Sequence, residues 1–239
     1  MFSSAKQPVL PDPRWKDLYR IGAIFSVLIA VSIVLAIIAF IIWPFKPGYT
    51  STENIYLALL ADPVGGLMSL DLLMLLIAPL NLFMFLAIYA ALKQVNESYA
   101  LIALVMAIMA VFLLITSRPI MEIYALSQKY AIAGTPQEKQ QLLAAGESLH
   151  ALFNGTAWAF QTVLFMLAGL INCALMLKTP FFRKSTAWIG IVSSAIGLGF
   201  FLPVIGMGLL FVNTLGTIPW CVLLTQDLLK LRRNVLPIA

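Results

Sequence analysis

The chain has 239 residues, of which 62% are hydrophobic and 10% are charged. A soluble domain carries roughly 45–50% apolar and 25% charged residues, so this composition excludes an ordinary water-soluble protein. The formal net charge of +5 does not indicate nucleic-acid binding, because the basic residues lie at the ends of apolar runs and form no patch with interleaved aromatic residues.

The predicted elements begin with a polar N-terminal arm, residues 1–20, which lacks the apolar core and cleavage site of a signal peptide. The first apolar run is therefore expected to remain as a membrane span. A helix needs roughly 20 apolar residues to cross the hydrocarbon layer. Six runs qualify, at about residues 21–43, 70–92, 99–118, 151–177, 187–204 and 208–229. The sequence thus predicts an all-α fold, a polytopic membrane bundle of six transmembrane helices over residues 21–230, followed by a tail at 231–239.

Two connecting segments carry helix-start signals of their own. Thr50-Ser51-Thr52-Glu53 has the spacing of a capping box and predicts a short helix over residues 53–61 on the membrane surface, stopped by Asp62-Pro63 and two glycines. Thr135-Pro136-Gln137-Glu138 repeats the signal with proline at the first helical position. We expect that second helix to run through Gly146 into the fourth span. The third span is expected to continue past Pro119, giving an outer helical hairpin that extends spans 3 and 4.

Lysine and arginine accumulate in the cytoplasmic segments of membrane proteins. The N-terminal arm, the loops after the second and fourth spans and the C-terminus together hold eleven of these residues, and the opposite segments hold four. We therefore expect both chain ends to lie in the cytoplasm and the protein to reside in the inner membrane.

The fourth predicted span carries five polar side chains along one stripe. At 100° per residue, they fall within a sector about 60° wide. The five are Glu147, His150, Asn154, Gln161 and Asn172. An amide in hydrocarbon without a partner is costly, so the two deepest amides are expected to face other helices or a wet cavity. Hydrogen bonding between helices and a path for a ligand or ion both remain open.

Charged and polar residues of other spans are predicted at the same depth. Arg118 and Glu122 are four residues apart and would be neighbours on a continuous helix. An arginine at the membrane boundary is expected to find a carboxylate, since an unpaired charge is unfavourable there. These groups either hold the bundle together or form a vestibule for a small molecule or lipid head group. The candidate ligand-binding residues are Asp71, Arg118, Glu122, His150, Asn154, Gln161 and Asn213.

Small residues and prolines mark the later spans. Gly190, Ser194 and Gly197 follow i, i+4, i+7 spacing, which predicts close helix packing. Pro79 and Pro219 interrupt the second and sixth spans, and each frees a backbone carbonyl one turn earlier.

Signatures of metal, haem and nucleophilic chemistry are missing from the sequence. His150 is the single histidine, and Cys173 and Cys221 lie inside apolar runs without ligand spacing. No nucleophile elbow or phosphate-binding glycine loop occurs. We therefore expect no cofactor, no catalytic residue and no metal site.

Several segments carry a family resemblance. They are Ser117-Arg118-Pro119-Ile120-Met121-Glu122, residues 142–147, residues 151–157 and Thr186-Ala187-Trp188-Ile189-Gly190-Ile191. In these, the chain resembles a family of bacterial multi-pass membrane proteins catalogued as a domain of unknown function. The resemblance covers nearly the whole chain and implies a six-helix fold, but no activity.

Three hypotheses about function follow. The first is a membrane protein whose outward-facing polar pocket binds or passes a small amphiphile or a lipid head group. The second is a non-catalytic accessory subunit of a larger membrane complex, in which the polar residues only hold the bundle together. The third is a membrane-embedded enzyme that uses Glu122 or His150 as acid or base on a lipid.

Overall fold

A computed structural model describes residues 12–235, and every regular element in that range is helical. The ten α-helices of these residues are α1 (Lys16–Ile42), α2 (Thr52–Ala61), α3 (Pro63–Ser69), α4 (Leu72–Leu92), α5 (Glu97–Thr116), α6 (Ile120–Ile132), α7 (Pro136–Phe153), α8 (Thr156–Met176), α9 (Lys184–Leu198) and α10 (Gly206–Val235). Six helical stretches are long and apolar enough to cross a bilayer. The predicted all-α fold with six membrane helices is confirmed.

The ends of the chain differ from the predicted boundaries. A short 3-10 turn (Pro13–Trp15) leads into α1, so part of the predicted arm is already helical, and α10 continues six residues past the predicted end of the last span. Residues 1–11 of the predicted arm and 236–239 of the predicted tail lie outside the described residues.

The third and fourth predicted spans are interrupted, which corrects the expectation of continuous helices. α5 stops just before Arg118-Pro119, because the proline ring clashes with a helical conformation at the residue that precedes it. α7 stops at Phe153, and Asn154 caps its end before Gly155 leads into α8. The predicted hairpin is nevertheless present, since α6 and α7 pack against each other beyond these breaks.

The segment after α1 also holds more helix than expected. Ser51 accepts a hydrogen bond from the Asn54 amide and starts α2 at the residue that follows it. Asp62 ends α2 and caps α3, which contains the two glycines that were expected to stop the helix. Proline at the first position of α3 favours a helix start there, and this outweighs the low helix propensity of glycine.

The fold divides into two compact units. Unit 1 comprises residues 12–30, 81–107 and 165–235 of the described chain, and unit 2 comprises residues 31–80 and 108–164. The helices α9 and α10 lie wholly in unit 1, whereas α2, α3, α6 and α7 lie wholly in unit 2.

Close helix packing in unit 1 depends on the predicted stripe of small residues on α9. A side chain at Gly190 would collide with the Cys173 sulfur and the Trp220 indole. A side chain at Gly197 would collide with the Met166 sulfur on α8 and would lie 3.0 Å from Asn213 on α10. Since a larger side chain cannot fit at either position, these glycines let α9 lie against α8 and α10.

An ion pair fixes the start of α9 to α10 within unit 1. Asp227 is 2% exposed and accepts a 2.7 Å hydrogen bond from Nε of Arg183. Its other carboxylate oxygen accepts from the Thr186 hydroxyl, and the arginine also donates to Gln226 and to the carbonyl of Leu223. This network satisfies a buried charge that would otherwise be costly.

Unit 2 is built around the hairpin and the helix α2, which shares a core with α6 and α7. Tyr56 is fully buried there and donates a 3.0 Å hydrogen bond to the carbonyl of Leu142. Burial raises the pKa of Tyr56 to about 12, so its hydroxyl stays a neutral donor. Tyr130 donates a 2.6 Å hydrogen bond to Glu53 in the first turn of α2. These bonds tie α2 to both helices of the hairpin.

Candidate functional site

The seven predicted ligand-binding residues are divided between the two units. Six of them lie in unit 2, and Asn213 lies in unit 1. Three of the six are buried, His150 is partly buried, and Glu122 and Asn154 are exposed. The structure therefore brings some of these residues into one network and leaves others at the surface of their unit.

Arg118 forms the centre of the network in unit 2. Its Nε donates a 2.8 Å hydrogen bond to Oδ2 of Asp71, and both side chains are buried. Its Nη1 donates to the carbonyl of Phe153 at 2.9 Å and, at longer distance, to Ser117. The guanidinium carbon lies 5.2 Å from the Phe153 ring centroid and 5.9 Å from that of Trp158. Because a cation at a helix C-terminus is favourable, Arg118 also stabilises the end of α7.

The carboxylate that pairs with Arg118 is thus confirmed, but the neighbour suggested by spacing is wrong. Glu122 is four residues from Arg118, yet the break before Pro119 removes the helical turn that would have brought them together. The carboxylate that pairs with Arg118 is instead that of Asp71, which lies in the connection between α3 and α4. It has a φ of 75°, in the left-handed region that aspartate tolerates better than most residues.

His150 and Gln161 each use only part of their hydrogen-bonding capacity. Nδ1 of His150 lies 3.0 Å from the hydroxyl of Thr52, and Nε2 of Gln161 donates to Thr162 at 2.8 Å. Among the residues that the structure describes, Nε2 of His150, Oε1 of Gln161 and Oδ1 of Asp71 have no hydrogen-bond partner. These three buried atoms are available to water or to a small polar ligand.

The expectation that the deep amides turn away from lipid is confirmed. Gln161 is 8% exposed and Asn172 is 2% exposed. Their common stripe is shorter than predicted, because the break at Asn154-Gly155 separates them from the polar residues of α7. On α8 alone, the two residues are still eleven positions apart and face nearly the same way.

A cavity of about 140 Å³ lies in unit 1, between α4, α8, α9 and α10. We call it the central cavity. Its wall contains methionine and aromatic side chains together with amides and hydroxyls, and no charged residue. The lining residues are Asn81, Met84, Phe85, Phe165, Met166, Gly169, Gly190, Ser193, Ser194, Asn213, Thr217 and Trp220.

Asn213 joins two helices at the wall of this cavity. Its Nδ2 donates to the Ser193 carbonyl at 2.9 Å and to the Ser193 hydroxyl at 3.2 Å. In return, the Ser193 hydroxyl donates to the Asn213 carbonyl at 3.0 Å. Asn213 is 6% exposed and Ser193 is 8% exposed. We call these reciprocal hydrogen bonds between α9 and α10 the latch.

Another polar group of the cavity wall has unused hydrogen-bonding capacity. Trp220 is 7% exposed, and its indole nitrogen has no oxygen or nitrogen acceptor among the described residues. The Cys173 sulfur beside it is only a weak acceptor. A buried indole N–H normally finds a full hydrogen-bond partner. The cavity wall therefore offers a donor that the described part of the chain satisfies weakly at most.

Sequence reasoning missed most of this cavity, because only Asn213 of the predicted set lines it. One feature of the sequence did point to the cavity. Asn81 is an amide in the middle of an apolar span, two residues after Pro79, and polar residues inside membrane helices usually mark function. Ser193 and Thr217 gave no such signal, since hydroxyls that bond their own helix are common in membrane spans.

No family model, no curated protein and no solved structure matches the chain. The resemblance to a bacterial multi-pass family therefore stays a prediction. Among residues 12–235, no group of three or more histidine, cysteine, aspartate or glutamate side chains is placed to hold a metal ion.

Proposed function

We propose that this protein binds a small, neutral amphiphile inside the bilayer, in the central cavity. The observation that supports the proposal is the position of that cavity. Asn81, Phe165 and Thr217 lie near the middle of the membrane-crossing parts of α4, α8 and α10. Sites between the helices of a membrane bundle, near the bilayer midplane, are where transported or bound substrates commonly sit.

The chemistry of the wall favours a neutral ligand with one polar group. No charged residue lines the cavity, so a charged group would be desolvated there without a counter-ion. The amides of Asn81 and Asn213 and the hydroxyl of Ser194 lie on the wall among Met, Phe and Trp side chains. A cavity of about 150 Å³ in another protein accepts benzene, so the volume here suits a single ring or a short chain segment.

The proposal also includes the orientation of the chain and the membrane in which it lies. The excess of lysine and arginine in alternate segments supports cytoplasmic chain ends in an inner membrane. With that orientation, the Arg183–Asp227 network marks the cytoplasmic boundary of unit 1.

The polar network of unit 2 is assigned a structural role in the same proposal. Arg118 donates to a buried carboxylate and to a helix-end carbonyl, which is the arrangement expected of a group that holds three segments together. This pairing also favours the second candidate, a non-catalytic accessory subunit. Native mass spectrometry of the gently extracted protein distinguishes them, because a subunit retains partner chains and a binding protein retains a small molecule.

The test uses 4-bromophenol, a neutral ring whose bromine quenches tryptophan fluorescence on contact, with the protein in lipid nanodiscs. Trp220 serves as the reporter in a variant whose other tryptophans are replaced by phenylalanine. Those are Trp15, Trp43, Trp158 and Trp188. In this background, Thr217→Val keeps the volume of the wall, and Thr217→Met fills the cavity.

We expect saturable quenching in the parent single-tryptophan protein and in its Thr217→Val variant. Thr217→Met should raise the apparent Kd about tenfold or more, since overpacking of this kind costs about 1–3 kcal/mol. Quenching that rises linearly with bromophenol and is identical in all three proteins indicates partition into lipid alone. That result refutes binding in the cavity.

A further inference from the structure

A second depression lies on the outer side of α9 and α10, also within unit 1. This outer groove has a volume of about 300 Å³ and is lined by Trp188, Ile189, Val192, Ser193, Ile196, Val212 and Gly216. Trp188 is 55% exposed, Val192 is 52% exposed and Val212 is 47% exposed. Apart from one hydroxyl and one indole nitrogen, its walls are apolar, as expected of a surface in contact with acyl chains.

The outer groove and the central cavity share a wall. Ser193 lines both of them. Opposite Ser193 on α10 stands Gly216, where an added Cβ would lie only 3.2 Å from the Ser193 Cβ. At this point α9 and α10 therefore touch through their smallest side chains, so a hydrocarbon chain can pass between them only when the two helices move apart. We call this place the seam.

The seam is held by hydrogen bonds that a ligand can replace. The latch between Asn213 and Ser193 is the polar contact there, at 2.9–3.2 Å. Opening it would leave an amide and a hydroxyl unpaired in an apolar setting, which is unfavourable unless a new partner is present. The oxygen of an amphiphile's head group is such a partner, because it can accept from the amide and from the hydroxyl.

We propose that the ligand is a single-chain neutral amphiphile whose head lies in the central cavity and whose hydrocarbon tail crosses the seam into the outer groove. The bilayer is then both the source of the ligand and its route, and the latch admits molecules that carry a hydrogen-bonding head. This inference rests on the proposed function of the central cavity. It commits the outer groove to the tail of that same ligand, because the two spaces share Ser193.

A reversible cross-link tests the route. In a background with Cys173→Ala and Cys221→Ala, the pair Ser193→Cys and Gly216→Cys places two thiols at the seam. Their Cβ separation of 3.2 Å is slightly below the roughly 3.5–4.5 Å of a disulfide, so a small adjustment permits the bond. The protein is loaded with 4-bromophenol, oxidised, and then diluted. The reduced form of the same variant and oxidised Ser193→Cys alone are the matched controls.

We expect oxidation to slow bromophenol release by about tenfold or more and to abolish its displacement by 4-dodecylphenol, with both properties restored by reduction. Equal release rates in the oxidised and reduced forms overturn the seam as the route. If wild-type protein shows no saturable bromophenol binding, it is the central cavity that fails, and this outcome precedes the cross-linking step.

A second measurement needs no substitution at the seam. In the single-tryptophan protein, 4-dodecylphenol should displace bromophenol at least about tenfold more effectively than dodecylbenzene, which has the same tail but no hydroxyl. Equal displacement by the two compounds contradicts the role of the latch in selecting a polar head.

Discussion

Replacing Arg118 by methionine keeps much of the side-chain volume but removes the charge that Asp71 faces. The change deletes the 2.8 Å bond to the Asp71 carboxylate and the 2.9 Å bond to the Phe153 carbonyl, and it leaves the carboxylate buried without a counter-ion. Loss of one partner of a buried pair costs about 3–5 kcal/mol. We expect Arg118→Met to lower the free energy of unfolding by that amount.

A double-mutant cycle separates the pair from its surroundings. Asp71→Asn keeps a side chain that tolerates the left-handed backbone and still accepts a hydrogen bond, so it should cost about 2 kcal/mol. The double variant Asp71→Asn/Arg118→Met contains no buried charge at this site. It should therefore be more stable than the sum of the single effects predicts, with a coupling energy of about 2 kcal/mol.

The assay is equilibrium unfolding by dodecyl sulfate in mixed micelles, followed by far-ultraviolet circular dichroism. The matched control is Arg14→Met, because Arg14 pairs with Asp12 at the same 2.8 Å distance while its side chain is 83% exposed. We expect the control to leave the unfolding midpoint unchanged. A cost of Arg118→Met below about 1 kcal/mol, or a coupling energy near zero, would refute the structural role of the buried pair.

Three further substitutions test the packing and hydrogen bonds of the two units by the same assay. Gly190→Ala should destabilise by about 1–3 kcal/mol, because its Cβ collides with neighbouring helices, whereas Gly208→Ala, with open space around it, should not destabilise; equal effects would contradict the close packing of α9. Thr186→Val removes a donor to the buried Asp227 and should cost about 1–3 kcal/mol; no cost would mean that the carboxylate does not need this hydroxyl. Tyr56→Phe should cost about 1 kcal/mol through loss of its bond to the hairpin, and a neutral effect would show that α2 is held by apolar contacts alone.

The number of membrane helices could be predicted because span length and apolar composition are local properties of the sequence. The same holds for the hairpin, whose start at Thr135-Pro136 is a capping signal that the structure uses. The breaks were missed although Arg118-Pro119 contains the cause, a residue sterically excluded from the helix by the proline that follows. Extending a 3.6-residue period across that site produced the wrong partner for Arg118.

The central cavity could not be predicted, because it depends on how four helices pack and not on any one of them. Asn213 was identified from its polarity, but its latch with Ser193 requires the register of α9 against α10. That register follows from the positions where Gly190 and Gly197 let the helices approach. A stripe of small residues in the sequence predicts that another helix packs closely against it. Which residue of that helix makes the contact can be seen only in the folded bundle.

The division into units has a consequence for biogenesis. All residues of unit 2 are synthesised before α9 and α10, so the Arg118–Asp71 bond can form before those two helices emerge from the ribosome. In unit 1, by contrast, the first turns of α1 must wait for the C-terminal helix, to which the carbonyl of Ala23 is joined by the Thr225 hydroxyl. Since chains fold domain by domain during translation, the nascent protein acquires its first fixed core in the middle of the sequence, and its two ends come together last.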